Sequence, residues 1–344
     1  MELYQIILIG VESLILFILV FFLLIAIITH ESRFGKRADG NPNLKYFKGE
    51  DFNLKTEPVE FKSNKGQTLR GFIYSSDDVK QKKGVIIWVH GFGAGHNAYT
   101  TEIAFFAKQG YYVLGYDNTG CVLSDGKSMK GLVQGAIDCS YAVKFAQTHE
   151  LLKDYKKVLI GHSWGAYSAM NIFAFNCNVD GVVAMCGFDS ADGIITDGAR
   201  SYFGGFSVLV RLFSRLYNRL HFGKLATLSS GKSISKSQVP VLLFYGERDG
   251  LVKFETQGKK TLKYNSANSN LEVVVCENKG HNVYLTEEAE NYNREVFVKI
   301  KKIEKSESED EKLNFYNSIN YNLITEEDES VMNKIRDFID KIQN

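Results

Sequence analysis

The chain has 344 residues, 44% of them apolar and 24% charged. That is ordinary globular usage and excludes a disordered or fibrous chain. The 41 basic and 40 acidic residues leave a formal charge of +1, which gives no electrostatic case for nucleic-acid binding. The length suits about two average domains, or one large α/β domain with additions. Five widely spaced cysteines (Cys121, Cys139, Cys177, Cys186, Cys276) lie in apolar runs. They fit neither a CxxC metal pattern nor a small disulfide scaffold, so buried reduced thiols are expected.

The first segment departs from the average. Residues 4–29 are apolar except for a few positions such as Gln5, Glu12 and Ser13, and ~20 such residues span a bilayer core. A cleaved signal peptide would have a basic start, a shorter apolar run and a small-residue cleavage site. Here the start carries Glu2 and the run ends in Ile27-Ile28-Thr29, so a retained transmembrane helix is the better fit. Arg33, Lys36, Arg37, Lys45 and Lys48 follow it and no Lys or Arg precedes it. The positive-inside rule then places a single-pass protein in the cell membrane with its body in the cytoplasm. Residues 30–55 form a polar connector, which as a coil would hold the body within ~30 Å of the membrane.

From residue 56 to about 305 strand and helix signals alternate. Strand-like runs lie at 59–61, 69–74, 85–90, 111–116, 157–160, 181–185, 239–245 and 271–276, with helical patterns at 101–108, 132–148 and 166–175. Two early strands followed by strand–helix alternation predict a mainly parallel eight-stranded sheet with helices on both faces. Runs 85–89 and 239–245 do not alternate, as expected of strands buried on both sides. In the tail, 306–344, the charge run at 299–312 predicts a solvated loop or helix end. Thr325-Glu-Glu-Asp328 resembles a capping box, and Val331, Ile335, Phe338, Ile339 and Ile342 form a helical apolar stripe expected to pack back on the body.

The chemistry-bearing motif is Gly161-His162-Ser163-Trp164-Gly165, between a strand run and a helical run. That is G-x-S-x-G in the strand–turn–helix setting of a nucleophile elbow. A serine hydroxyl needs a histidine to take its proton and a carboxylate to orient that histidine. The chain order for this arrangement is Ser, acid, His, and only His281 follows the 239–245 run. The acid candidates sit in Gly246-Glu-Arg-Asp-Gly-Leu-Val252; Asp249 is favoured, with Glu247 as the alternative. An oxyanion hole needs two backbone N–H groups, for which Trp164 and Phe92, in the turn His90-Gly91-Phe92-Gly93, are the candidates. The seven histidines show no HExxH or other ligand spacing, so neither a metal nor a cofactor is implied.

These residues resemble the α/β-hydrolase superfamily, in particular its monoglyceride-lipase-like and serine-aminopeptidase-like group. That group shows H-G-x-G, D-x-R-G-x-G-x-S, G-H-S-x-G, G-x-x-D-x-x-V and a late G-H. This chain carries His90–Gly93, Asp117–Ser124, Gly161–Gly165, Gly246–Val252 and Gly280-His281, departing at Thr119 and Val122, where Arg and Gly are usual. The likeness covers about residues 56–300 and implies that Asp249 is the acid. It also implies a short helical cap at about 189–236. There Phe203, Phe206, Leu209, Leu212, Phe213, Leu216, Tyr217 and Leu220 are spaced like one apolar helix face, with Arg211, Arg215 and Arg219 on another. A basic amphipathic helix of this kind can lie on an anionic membrane. The favoured expectation is that the apolar face covers the enzyme's own pocket while the arginines stay solvated.

Together these features point to a membrane-anchored serine hydrolase of the esterase or lipase kind, acting on hydrophobic acyl esters. The alternatives are a serine aminopeptidase-type peptidase and a catalytically silent hydrolase fold serving as an interaction protein.

Overall fold

The computed structural model describes residues 2–306 and 308–343, so the expected tail segment is described except at positions 307 and 344. Eight strands form one sheet in the order β1-β2-β4-β3-β5-β6-β7-β8. They are β1 (Lys55–Lys62), β2 (Thr68–Ser75), β3 (Gly84–Val89), β4 (Tyr111–Tyr116), β5 (Lys157–His162), β6 (Gly181–Met185), β7 (Val241–Gly246) and β8 (Leu271–Cys276). β2 pairs antiparallel with both β1 and β4, and every pair from β4 through β3 to β8 is parallel. Every residue of β3, β5, β6 and β7 is buried. Helices on both faces remove any solvated side, so these strands read as continuous apolar runs.

The helices are α1 (Leu3–Phe34), α2 (Thr100–Lys108), α3 (Leu132–Thr148), α4 (Trp164–Met170), α5 (Ala191–Phe203), α6 (Ser207–Phe222), α7 (Ser230–Ile234), α8 (Lys259–Lys263), α9 (Glu287–Ser306), α10 (Glu309–Ser318), α11 (Tyr321–Ile324) and α12 (Glu329–Gln343). One face of the sheet packs Ile86, Trp88 and Val183 with Ile103 and Phe106 of α2 and Ile335 and Ile339 of α12. The other packs Val85, Ile87 and Leu159 with Cys139 and Val143 of α3 and Ala166 and Met170 of α4. Between β6 and β7 run α5, α6 and α7.

Several local expectations differ from the structure. The helical run expected at 166–175 starts two residues earlier and breaks at Asn171, whose side chain turns back to donate to the Tyr167 carbonyl at 2.9 Å. The charge run at 299–312 is largely helical, because Ser308 opens α10 with a reciprocal capping box to Glu311. The C-terminal helix is capped by Asp328 rather than Thr325: its Oδ1 accepts from the N–H groups of Ser330 and Val331 at 3.0 and 3.2 Å. A carboxylate acceptor at the N-cap satisfies orphan donors that a threonine one turn earlier does not reach.

The amino-terminal region differs most. α1 runs on to Phe34, and by length and composition it is able to cross a membrane. Its first part stands exposed, while Phe22, Ala26, His30 and Phe34 are buried against the body. Phe22 meets the rings of Phe203 and Phe206, and His30 bonds Ser214 of α6 at 2.7 Å and stacks on Tyr217 at 4.5 Å. The connector is no free coil. The Arg37 guanidinium donates to the carbonyls of Val122, Ser124 and Gly126, and Ala38 bridges to Cys121. Three backbone acceptors converging on one guanidinium pin the chain where composition alone suggests a tether.

Candidate active site

β5 ends at the elbow. Ser163 has φ 55° and ψ −111°, a strained conformation for a residue with a side chain. It is held there by its N–H donating to the Met185 carbonyl at 2.8 Å and its carbonyl accepting from Tyr167 at 3.0 Å. Gly161 and Gly165 flank it because a Cβ on the first would run into the Gly165 backbone, and one on the second into the Val89 carbonyl. The turn therefore closes only with glycine at both positions.

β7 ends at Gly246 and delivers Asp249, 4% exposed. One carboxylate oxygen accepts from the N–H groups of Leu251 and Val252 at 2.8 and 2.9 Å; the other accepts from His281 Nδ1 at 2.7 Å. Burial pushes its pKa up, but the hydrogen bond and charge of His281 and the two amides outweigh that and leave it below the usual value. Glu247 is exposed and accepts the Asn278 N–H at 3.0 Å. The structure thus pairs His281 with Asp249 and leaves Glu247 outside the cluster.

Trp164 opens α4, so its N–H has no carbonyl four residues back within the helix. Phe92 follows β3 in the turn whose Gly93 has φ +94°, and its ring lies edge-on to Trp164 with centroids 6.1 Å apart. His90 is buried under the turn: Nδ1–H donates to the Gly91 carbonyl at 2.7 Å and Nε2 accepts from Asn118 N–H at 2.9 Å. The 117–124 loop is built around Asp117, which accepts from the backbone and ring of His96 and from Leu123 N–H. Val122 sits at φ 34°, where a glycine is the easier fit. Thr119 binds the buried Asp138 through its N–H at 2.7 Å and its hydroxyl at 3.1 Å.

Two positioning devices escaped sequence reasoning. His162 donates from Nε2 to the His281 carbonyl at 3.0 Å, which makes its Nδ1 the acceptor of the Tyr99 hydroxyl at 2.9 Å. The Tyr99 oxygen in turn accepts Gly91 N–H at 3.1 Å. A single directed chain of hydrogen bonds therefore ties the His90–Gly93 turn to the backbone of His281 through the elbow. Burial, with the neighbouring His281 charge, pushes the His162 pKa down to about 3, so its tautomer is stable across the physiological range. The second device is Glu290 of α9, whose carboxylate accepts the N–H groups of Gly280 and Asn282 at 2.7 and 2.9 Å. The adjacency of His162 to Ser163 was the available signal for the first; nothing local marks Tyr99 or Glu290.

Cys186, Asp249 and His281 bring one ligand-type atom each within 4.8 Å of one another. Burial holds the Cys186 thiol well above its ordinary pKa, so it stays protonated, and His281 Nδ1 is already bonded to Asp249. To hold a cation, Cys186 would have to lose its proton and Asp249 its bond to His281 Nδ1.

Apolar groups surround the elbow: Phe34, Leu132, Trp164, Phe188, Leu228 and Val252 share one cluster. The helix between β6 and β7 does not present its apolar face inward as expected. Leu212, Leu216 and Leu220 of α6 are exposed, whereas Ser207, Val210, Ser214 and Asn218 are its buried positions. Arg211 and Arg215 are not simply solvated either. Both reach the buried Asp192 carboxylate of α5, at 2.8 and 3.0 Å. Small residues at i, i+4 spacing let α1 and α5 approach that side of α6, which turns the leucines outward.

Residues 80–230 match the family model described as serine aminopeptidase, S33. Over 79% of this chain and 99% of the other, the structure superimposes on an esterase from Pyrococcus furiosus with a TM-score of 0.56 at 20% identity. The chain has the α/β-hydrolase fold. A second solved α/β-hydrolase, from Penicillium sp. sh18, matches with a TM-score of 0.50 at 19% identity, covering 76% of this chain and 98% of that one. Among curated proteins, a thiohydrolase of Arthrinium phaeospermum is 31% identical over 134 residues, and a polyketide transferase of Stachybotrys chlorohalonatus is 30% identical over 131. These stretches are 38% and 37% of this chain and 43% of each relative, so the match spans less than half the length of either relative.

Proposed function

We propose that this chain is an α/β-hydrolase, a membrane-anchored serine hydrolase that cleaves carboxylic esters of hydrophobic acyl substrates through an acyl-enzyme. Ser163 Oγ attacks the ester carbonyl as His281 Nε2 takes its proton. Asp249 holds the other ring nitrogen, keeping the imidazole in the tautomer that can accept and stabilising the imidazolium that forms. The N–H groups of Phe92 and Trp164 stabilise the oxyanion. His281 then returns the proton to the departing alcohol, and water, deprotonated by the same imidazole, releases the acid. What carries this reading is a strained elbow serine whose neighbour His162 packs on the His281 ring, with centroids 4.8 Å apart, together with the His281–Asp249 hydrogen bond of 2.7 Å. The apolar cluster around Trp164 supports a hydrophobic acyl group. The exposed apolar length of α1 and the basic residues after it support an anchor with the body on the cytoplasmic side.

A peptidase activity is favoured by the serine aminopeptidase family model alone. An aminopeptidase needs a carboxylate free to hold the substrate's amine, and the acidic groups near the cap are engaged. Asp192 is paired with two arginines, Asp189 accepts from Ser229 and Gly231, and Asp197 accepts from Gln257. The test is labelling of the full-length protein by a fluorophosphonate, followed by assay against p-nitrophenyl esters of increasing chain length and aminoacyl amides. Labelling lost in Ser163→Ala and esterase turnover reduced by roughly 10⁴-fold or more are expected. An unlabelled wild type would leave a non-catalytic interaction protein, and faster turnover of amides than of any ester would make it a peptidase.

A further inference from the structure

A cavity of about 250 Å³ opens where the last turn of α1, the start of α3 and the end of α6 meet. Lys65 and Lys130 line it, and among the described residues neither ammonium has an ion-pair partner. Burial and, after it, the nearby Lys65 charge lower the pKa of Lys130, against a smaller opposing pull from Asp138. Two like charges at one cavity, which Asp138 offsets only in part, favour an anion between them. Asn64 adds a donor: its Oδ1 accepts from Gln67 and Gln134, which leaves its NH₂ group to point elsewhere. Two carboxylates are near and both are engaged. Glu31 on the wall accepts the Tyr217 hydroxyl, and buried Asp138 accepts from Ser63, Thr119 and Gln134. Lys130 has φ 64°, and its N–H donates to the Phe34 carbonyl at 3.1 Å. A left-handed lysine is thus fixed directly to the end of α1.

Phe34, Ile137, Phe222 and Leu225 give the wall an apolar part, beside the polar Ser128, Gln134, Tyr217 and His221. Phe34 also meets the Phe92 ring edge-on, with centroids 5.6 Å apart. If α1 crosses a bilayer, the cavity lies on the body side of the span, against the last turn of α1. The exposed Leu212, Leu216 and Leu220 of α6 lie on the helix that walls it. Positive groups, apolar rings and this place beside the span match the phosphate of an anionic lipid with its glycerol and first acyl carbons, rather than a small solution anion.

We propose that this cavity binds the phosphate-bearing headgroup of an anionic lipid at the membrane boundary. The lipid source rests on the anchor in the function proposed above; the anion chemistry does not. The test titrates full-length protein in neutral detergent micelles with dioctanoyl phosphatidylglycerol, dioctanoyl phosphatidylcholine and inorganic phosphate, reading binding by calorimetry. Phosphatidylglycerol should bind, and the double variant Lys65→Gln, Lys130→Asn should weaken it at least roughly tenfold, because each lysine supplies a charge-assisted hydrogen bond. Asparagine tolerates the left-handed backbone at 130. Lys65 is exposed, so Lys65→Gln alone keeps the test valid if the double variant folds poorly, and it too should weaken binding. Unchanged phosphatidylglycerol affinity in the variants overturns the proposal, as does phosphatidylcholine binding equally well without regard to the lysines. Inorganic phosphate binding as tightly as the lipid overturns the headgroup assignment. Fluorophosphonate labelling of Ser163 in the same preparation reports on the hydrolase reading separately, so the two can fail independently.

Discussion

Asp249→Asn separates geometry from chemistry at the proposed triad. Oδ1 of Asp249 accepts two backbone N–H groups, from Leu251 and Val252, and Oδ2 faces His281 Nδ1. In the variant the amide oxygen must take the Oδ1 place, because an NH₂ there would confront two donors in a buried site and strand both, at about 1–3 kcal/mol each. The NH₂ then faces His281, which can accept it only by moving its own proton to Nε2. That tautomer cannot take the proton of Ser163. The expected loss is about 10⁴ in kcat, or about 5 kcal/mol in the barrier, with KM little changed. A p-nitrophenyl butyrate assay on the purified variant, with circular dichroism to confirm folding, measures it. Glu247→Gln, at an exposed side chain, should stay within about twofold of wild type. A folded Asp249→Asn retaining more than about a tenth of wild-type kcat would refute the tautomer argument, and a larger loss in Glu247→Gln would move the acid there.

Other consequences are equally direct. Tyr99→Phe removes the acceptor of Gly91 N–H and the donor to His162; kcat should fall roughly tenfold at nearly constant KM, with about 1–3 kcal/mol lost from stability in a urea titration. Deleting residues 2–20 removes only exposed or half-buried α1 residues and should leave hydrolysis of a soluble ester intact while releasing the protein from membranes. Deletion through Phe34 strips four buried side chains and should lower Tm as well. Burial pushes both Glu102 and Glu327 up, and the Glu102 charge raises Glu327 further, to about 8. A carboxylate whose folded pKa is raised costs stability once pH rises above its unfolded pKa, so Glu327→Gln should raise Tm by about 2–4 °C at pH 8 and hardly at all at pH 4. An equal gain at both pH values would show that charge is not the cause.

Local patterning was enough to reveal the hydrolase scaffold. The buried strands announce themselves because helices on both faces require unbroken apolar runs, and the elbow because only glycines tolerate the backbone approach at 161 and 165. The order of Ser163 and His281 along the chain, with one histidine after β7, made that candidate pair legible too. Of the two loop carboxylates, Asp249 is favoured over Glu247 from the sequence, and the motif resemblance strengthens that preference. In the folded chain, only Asp249 turns inward to the ring while its two amide donors lock it. Other features depend on surfaces that meet from distant parts of the chain. α1 reads as a plain apolar span, yet its last three turns are buried by α6 because Ser207, Val210 and Ser214 make a side narrow enough for close packing. The same packing turns the leucines of α6 outward and draws Arg211 and Arg215 to Asp192, which no spacing rule within one helix specifies. The relay from Gly91 through Tyr99 and His162 to His281 joins four segments. Hydrogen bonds between groups so far apart in sequence leave no periodic trace, and only the folded sheet brings their atoms within 3 Å or so of each other.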